Sequence, residues 1–251
     1  SVLPETGVEY KIRFMLRKDQ CEIMLDTTGD GLHKRGYRRN AMEAPIRETL
    51  AATIADLGRV RRDSLVEDPF CGSGTIPIEA ALIAMNRAPG INRHFAAENF
   101  PFVDKTLWKE EREAAKNREF HGDYKIFASD NDPACVSLSM ANARRAGVDK
   151  LIVFEDADAP SRKFPAAEGI LVANPPYGQR MMEQRTAQAL YERLGRRLKT
   201  EKGWKQYIIT SEPEFERHFG RKADKKRKLY NGMIQCNYYM YLGDMAKGRK
   251  K

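Results

Sequence analysis

Ile170-Leu-Val-Ala-Asn-Pro-Pro-Tyr177 is an apolar run that stops at an amide, two prolines and an aromatic ring. A short apolar run bounded by turn residues reads as a buried strand. Two consecutive prolines cannot continue a sheet ladder, so the backbone must leave the strand there in a fixed, extended shape. Asn174, Pro175, Pro176 and Tyr177 are thereby gathered at the strand's carboxyl end, where open parallel α/β sheets hold their ligands. Rigid carbonyl acceptors beside a stacking ring suit the exocyclic amino group of a flat base. That nitrogen is a poor nucleophile, because its lone pair is delocalised into the ring. If the Asn174 side-chain oxygen and a backbone carbonyl, with Pro175 the candidate, accept its two hydrogens, the nitrogen becomes more tetrahedral and its lone pair is freed. Tyr177 would stack on the ring, an interaction worth about 1–3 kcal/mol per base. A base gripped in this way has left its helix. The plainer alternative is a Pro-Pro turn that only ends a strand, and the rest of the chain has to decide.

Strand and helix patterns alternate around this stretch. Upstream lie Lys125–Ala128, Pro133–Ala146 and Leu151–Phe154, the run itself covers Gly169–Ala173, and Ala187–Lys199, Gln206–Thr210 and Glu212–Phe219 follow. Nearer the N-terminus, Ile46, Leu50, Ile54 and Leu57 recur at helical spacing within Ala44–Leu57, and Gly58 ends that helix. Ser64–Glu67 begins another strand, and a helix runs on through Met85. Such alternation implies an α/β fold with a doubly wound, Rossmann-like, mostly parallel sheet. Asn231-Gly232, followed by Met233–Leu242, is a strong hairpin signal and adds one antiparallel strand. Val8–Leu16 and Cys21–Leu25, joined by a polar turn around Lys18-Asp19, form a short N-terminal β-hairpin. Residues 86–120, with a charged helix around Trp108–Phe120, break the alternation and read as an insertion.

The chain has 251 residues, enough for one large domain with a small appendage and a substantial core. A formal net charge of +9 favours a polyanionic partner. No apolar stretch approaches the roughly 18–20 residues of a membrane span, so no membrane partner is expected. Cys21, Cys71, Cys135 and Cys236 are scattered, with neither C-x-x-C nor H-E-x-x-H, so no metal is expected and a cytoplasmic location is the simpler reading. The chain begins with Ser1 rather than Met and carries no signal-peptide pattern, which reads as a fragment or processed chain.

Three further strand ends carry chemistry. Asp68, Pro69, Phe70, Cys71, Gly72, Ser73, Gly74 and Thr75 lie between a strand and a helix. The glycines let a ligand approach the backbone and permit positive φ. The segment is neither a Walker loop nor a dinucleotide fingerprint, and its leading acid suits a cationic or hydroxyl-bearing ligand better than a pyrophosphate. Phe127-Ala-Ser-Asp130-Asn131-Asp132-Pro133 ends the next strand. A carboxylate there commonly accepts ribose hydroxyls. Asp132, just before Pro133, suits a helix N-cap, which leaves Asp130 for the ribose. At Glu155-Asp156-Ala157-Asp158 a third strand end offers acids for an adenine amino group; Asp158 is preferred to Asp156.

In this order — glycine-rich turn, ribose acid, adenine acid, Asn-Pro-Pro-Tyr — the sequence resembles the S-adenosylmethionine-dependent amino-methyltransferases. Asp68–Thr75 looks like their cofactor loop, Asp130 with Asn131 and Asp158 like their ribose and adenine contacts, and Asn174–Tyr177 like their catalytic motif. The resemblance is closer to the THUMP-associated ribosomal RNA guanine-N2 methyltransferases, a family also labelled as adenine-specific DNA methylases. Leu25-Asp-Thr-Thr-Gly-Asp-Gly-Leu-His-Lys-Arg-Gly-Tyr-Arg38 resembles the segment that leads into their catalytic domain, Ala44–Ala52 their first helix, and Asn174-Pro-Pro-Tyr-Gly178 their form of the motif. The likeness spans most of residues 20–242. It implies a methyltransferase using S-adenosylmethionine, with Asn174 as amino-group acceptor and guanine N2 of 23S ribosomal RNA as the favoured target. It also implies a division into a THUMP-like remnant over 1–25, a basic loop over 26–43, a methyltransferase domain over 44–246 and a basic tail over 247–251. Two departures stand out: the insertion at 86–120, and the lack of all but the last strands of a THUMP domain. The alternatives are an adenine-N6 DNA methyltransferase and a non-catalytic RNA-binding module on the same fold.

Lys34, Arg35, Arg38 and Arg39 could touch phosphates and Tyr37 could stack on a base; a solvated linker is the bland alternative. Arg221–Lys228 fits either substrate binding or the guarding of a sheet edge. His33, His94, His121 and His218 read as surface or structural, and Trp108 and Trp204 as packing residues. Met181 and Met182 would line a substrate entrance or simply pack.

Overall fold

A computed structural model of the chain describes residues 7–38, 46–177 and 181–243, with the Met181 side chain left out. Arg39, the first two residues of the expected helix at Ala44, Gly178, residues 1–6 and the basic tail lie outside the described residues.

Alternating side chains make β6 (Glu168–Ala173) the centre of the molecule. Ile170 and Val172 point into one hydrophobic layer and Leu171 and Ala173 into the other. The same period of two recurs in β9 (Ile234–Tyr241), where Tyr238 and Met240 face the first layer and Tyr239 and Tyr241 the second. A sheet apolar on both faces has to be covered on both, as parallel sheets are. The first layer is closed by α1 (Glu48–Leu57), α2 (Thr75–Ala84) and α4 (Pro133–Ala146). The second is closed by α5 (Met181–Lys199) and α6 (Phe215–Phe219).

Among the described residues the main sheet has seven strands. They are β3 (Leu65–Asp68), β4 (Lys125–Asp130), β5 (Ile152–Asp156), β6, β7 (Gly203–Thr210), β8 (Lys225–Asn231) and β9, in the order β5-β4-β3-β6-β7-β9-β8. Only β9 runs against the others, because it is antiparallel to both β7 and β8. The strand order reverses at β3, so the crevice between β3 and β6 is the topological switch point where such sheets bind ligands. The expected doubly wound Rossmann-like sheet with one antiparallel strand is therefore what the chain forms.

β1 (Ile12–Arg17) and β2 (Gln20–Leu25) form the separate N-terminal hairpin. Lys18 and Asp19 both take positive φ, as a two-residue turn matched to strand twist requires. Its register puts Ile12, Phe14, Leu16, Cys21, Ile23 and Leu25 on one face, and all of them are exposed. The insertion folds into a short 3₁₀ turn (Ala96–Asn99) and α3 (Lys105–Asn117).

No helix joins β5 to β6. Residues 157–167 cross the second face instead, fixed by Phe164 against the buried Trp204 ring at 4.3 Å and by the Trp204 indole N–H donating to the Ala166 carbonyl at 3.0 Å. Arg162 in the same segment pairs with both Glu67 and Glu155. Replacing Trp204 with alanine removes the anchor of this segment. Trp204→Ala is expected to cost about 3–5 kcal/mol in urea unfolding, as large aromatic truncations do. It should also open the backbone after Arg162 and Lys163 to trypsin at a protease level that leaves the parent chain intact.

Candidate active site

Four strand ends meet at the carboxyl edge of the sheet. Asp68 closes β3 and is fully buried; its Oδ1 accepts from the Phe70 N–H at 3.1 Å, while Oδ2 has no hydrogen-bond partner among the described residues. Burial pushes the Asp68 carboxyl well above the usual carboxylate range, and the nearby Asp130 and Glu67 acids push it the same way. The turn that follows is held from both sides. The Cys71 N–H donates to the Ser129 carbonyl at 2.9 Å, and the Gly72 N–H donates to Asp130 Oδ2 at 2.9 Å. Gly72 has φ +52, and a side chain there would project into open space. Gly74, at φ +81, cannot carry one: a Cβ would lie 2.2 Å from the Ser139 hydroxyl on α4. Pro69, Cys71, Ser73 and Thr75 are buried beneath the loop, and Phe70 is partly exposed. Asn142 on α4 donates to the Ser73 carbonyl at 2.8 Å, so α4 fastens the loop from below.

Asp130 ends β4 and does more than wait for a ligand. Besides gripping Gly72, its Oδ1 accepts from the Asp132 N–H at 3.1 Å. A carboxylate has about four acceptor sites, so room for a ribose hydroxyl remains. Asn131 beside it is exposed. Asp132 caps α4 through the Ala134 N–H at 2.9 Å with Pro133 at the first helical position, as its sequence context requires.

The two candidate adenine acids are held differently. Asp158 is engaged elsewhere: it pairs with Arg193 of α5 at 2.8 Å and accepts from the Ser161 hydroxyl at 3.1 Å. β5 runs two residues further than its apolar pattern suggests and ends at Asp156, which is exposed and stands directly opposite Asp130 in register. Asp156 thus stands one strand spacing, about 4.8 Å, from Asp130.

At the end of β6, Asn174 is partly exposed, and its amide has no hydrogen bond to the described residues. Pro175 is buried and Pro176 exposed. The Tyr191 hydroxyl on α5 donates to the Pro176 carbonyl at 2.7 Å, which fixes the turn and leaves the Pro175 carbonyl without a described donor. Tyr177 is half-buried; burial raises its hydroxyl pKa, and the side chains of Cys236 and Asn231 lie beside it. Sequence reasoning missed Tyr191, whose spacing from Ala187 and Leu194 marks only a buried helix face.

The basic loop also departs from expectation. Tyr37 is 4% exposed and donates to Glu79 Oε1 at 2.9 Å, so it is no platform for a base. Arg35 pairs with the same Glu79, and Arg38 with Glu48. These cations neutralise buried acids and are not free for phosphates. Lys34 remains at the surface, paired with Asp30. The signal was Glu79 itself, an acid inside the otherwise apolar helix α2, which demands a buried partner. Among the described residues no group of three His, Cys, Asp or Glu side chains could hold a metal, and no helix is long and apolar enough to cross a membrane.

Fold and site together define a Rossmann-like methyltransferase. The chain belongs to the RMKL-like methyltransferase domain family, which matches residues 35–240. It is 44% identical over 250 residues to "Putative RNA methyltransferase YpsC" of Bacillus subtilis, covering 99% of this chain and 65% of that protein. Over 240 residues it is 40% identical to the ribosomal RNA large subunit methyltransferase K/L of Shewanella baltica, covering 93% of this chain and 34% of that protein. The crystal structure of SMU.472 complexed with SAH superposes with a TM-score of 0.88 at 42% identity, covering 96% of this chain and 63% of that one. The chain thus spans less than two thirds of the length of these relatives.

Gly74 gives a direct test of the loop geometry. Gly74→Ala should destabilise the fold and weaken cofactor binding, since it combines a steric clash with left-handed backbone. Adding Ser139→Gly should recover only part of the loss, leaving about 1–2 kcal/mol for the positive φ. Full recovery in thermal unfolding would show that the clash alone matters.

Proposed function

We propose that this chain transfers a methyl group from S-adenosylmethionine to an exocyclic amino nitrogen of a nucleobase in RNA, with guanine N2 of 23S ribosomal RNA the favoured acceptor. The observation that carries the reading is the end of β6. There the Asn174 amide and the Pro175 carbonyl, neither with a partner among the described residues, stand beside Tyr177 on a turn held rigid by Tyr191. Large-subunit RNA as substrate is supported by the printed name of the K/L relative. The exposed apolar face of the N-terminal hairpin supports reading residues 1–25 as the remnant of a preceding THUMP-like RNA-binding domain, ahead of a methyltransferase domain over 44–246.

The residues present fit the cofactor. A cation beside Asp68 would give the orphaned Oδ2 its partner, and the side-chain-free face at Gly72 lets a ligand lie against the backbone. Asp130 would hold the ribose hydroxyls and Asp156 the adenine amino group, with Pro69–Thr75 and Asn131 forming the surrounding walls. When bound, the donor would supply a methyl group whose bond to the sulfonium breaks as the bond to nitrogen forms, leaving a neutral thioether, and the nitrogen would lose its extra proton to water afterwards, so no strong general base is required. The Asn174 Oδ1 and the Pro175 carbonyl accept the two amino hydrogens and pull the acceptor nitrogen towards tetrahedral geometry. Tyr177 stacks on the ring, and Pro176 keeps the three groups in register. Catalysis is then mostly positioning and electrostatics.

Asn174→Ala should abolish methyl transfer to ribosomal RNA while leaving donor affinity, measured by calorimetry, nearly unchanged. Asp130→Ala should weaken donor binding first, by about 1–3 kcal/mol. Equal losses in both variants would contradict the separate roles. Parallel assays on ribosomal RNA and duplex DNA separate this reading from an adenine-N6 DNA methyltransferase, and mass spectrometry of the product nucleoside identifies the base.

Asp68 adds a pH signature. Burial raises the Asp68 carboxyl in the free site, whereas a cationic ligand beside it favours the carboxylate. Donor affinity should therefore fall as pH is lowered through that raised pKa, and Asp68→Asn should flatten the slope. An unchanged slope in the variant would remove Asp68 from the cofactor site.

A further inference from the structure

We propose that the tip of the β8–β9 hairpin is a wedge that enters the base stack of the RNA beside the target nucleotide, with Met233 as the inserted side chain. The inference rests on the RNA reading of residues 174–177 and extends it to how the base leaves its helix.

The register places the tip. β7 and β9 pair as far as Thr210↔Asn237, and there the main sheet ends on this side. The β8–β9 ladder continues for three more pairs, Leu229↔Cys236, Tyr230↔Gln235 and Asn231↔Ile234, before the turn at Gly232 and Met233. At about 3.3 Å per residue the tip stands roughly 10 Å beyond the sheet. β8 runs parallel to β7, so the tip projects from the carboxyl edge, the edge that carries Asn174. It adjoins the catalytic turn, since Asn231 and Cys236 flank the Tyr177 side chain. It is also braced: the Asn231 side chain accepts from the Arg47 N–H at 3.3 Å, and Leu229, Ile234 and Cys236 pack on the first hydrophobic layer.

The chemistry of the tip is not explained by folding. Met233 is 97% exposed, the highest among the large apolar side chains that reach solvent, and Tyr230 nearby is 57% exposed. The β8 edge leading to them carries Lys225, Lys226, Arg227 and Lys228, all exposed. Lysines that guard a sheet edge account for the strand, and Lys226 is engaged with Glu216, but guarding does not account for a methionine at the apex. A cationic strand ending in a protruding apolar side chain matches a polyanion whose interior is apolar. Drawing a base out of a stack costs a few kcal/mol, and proteins that distort nucleic acids offset such costs with apolar wedges, methionine among them. An unbranched thioether adapts its shape to such a gap.

The test uses a protein-free large-subunit ribosomal RNA transcript. In a Cys21→Ser background, Met233→Cys is labelled with an azidophenacyl group and irradiated on the RNA. Crosslinks are expected on nucleotides next to the methylated base; crosslinks elsewhere, or none from an enzyme that methylates, overturn the wedge. Met233→Ser should lower kcat roughly tenfold or more with donor affinity intact, and Met233→Leu should restore it. Equal kcat in the serine variant and the parent also overturns the proposal. If the parent methylates no amino group of the RNA, the reading of residues 174–177 fails instead, and crosslinking to RNA from position 233 still reports independently on the tip.

Discussion

The hydroxyl of Tyr191 on the carbonyl of Pro176 holds the reactive turn in place. Pro175 and Pro176 have no N–H, so neither can anchor the segment after β6 by donating from its own backbone. Its rigidity comes instead from φ restriction within the turn and from one acceptor that a distant side chain can reach. Tyr191 is itself immobilised, edge-on against Phe215 at 5.0 Å and within 3.4 Å of the Thr210 hydroxyl at the end of β7. α5, α6 and the end of β7 thus form the buttress of the turn after β6. A shift of any of them would reach the Asn174 amide through this hydrogen bond.

On the opposite face, Glu79 plays an equivalent part for the glycine-rich loop. It draws Tyr37 and Arg35 down onto α2, the helix that begins at Thr75, and Arg145 of α4 donates to the Tyr37 carbonyl at 2.7 Å. The segment before Tyr37 is held by the insertion, where Arg93 donates to the Asp30 and Gly31 carbonyls and the Ala97 N–H donates to the Thr27 carbonyl at 3.1 Å. Residues 86–104 therefore connect the lead-in segment to the catalytic domain. The N-terminal hairpin is tied to this segment by Asp26, which pairs with Arg13 and accepts from the Thr28 N–H, and the chain leading into it by Tyr10 against Phe100 at 5.0 Å.

Most of the architecture was legible in local patterns, because its determinants are local. Asp132-Pro133 predicts a cap and the structure forms it, Asn231-Gly232 predicts a hairpin turn, and the unbroken apolar run Ile170–Ala173 predicts a buried strand. The losses share another cause. Tyr37 and Arg35 sit in a glycine-rich, basic stretch that reads as solvated, and only Glu79, distant in sequence, buries them. The apolar pattern of β5 stops at Phe154, whereas backbone pairing carries the strand on through two acids to Asp156. Hydrophobic periodicity marks where a strand is buried, not where its ladder ends.

The strand order also sorts the charges. Asp68, Asp130 and Asp156 end β3, β4 and β5, which fill one flank of the sheet. Lys225 to Lys228 lie on β8, the opposite edge strand. With strands about 4.8 Å apart, the β4 acid stands two spacings, roughly 10 Å, from β6, and the basic edge three spacings, roughly 14 Å, on the other side. A polyanion is repelled by the first flank and attracted by the second, while a cationic donor experiences the reverse. Asn174 stands between them, at the end of the strand where the two fields meet. On the proposed reaction, that arrangement lets both substrates approach along separate sides of the same edge. On the same reading, a chain of net charge +9 would keep three acids on one flank of the sheet, away from the basic edge that an RNA would approach.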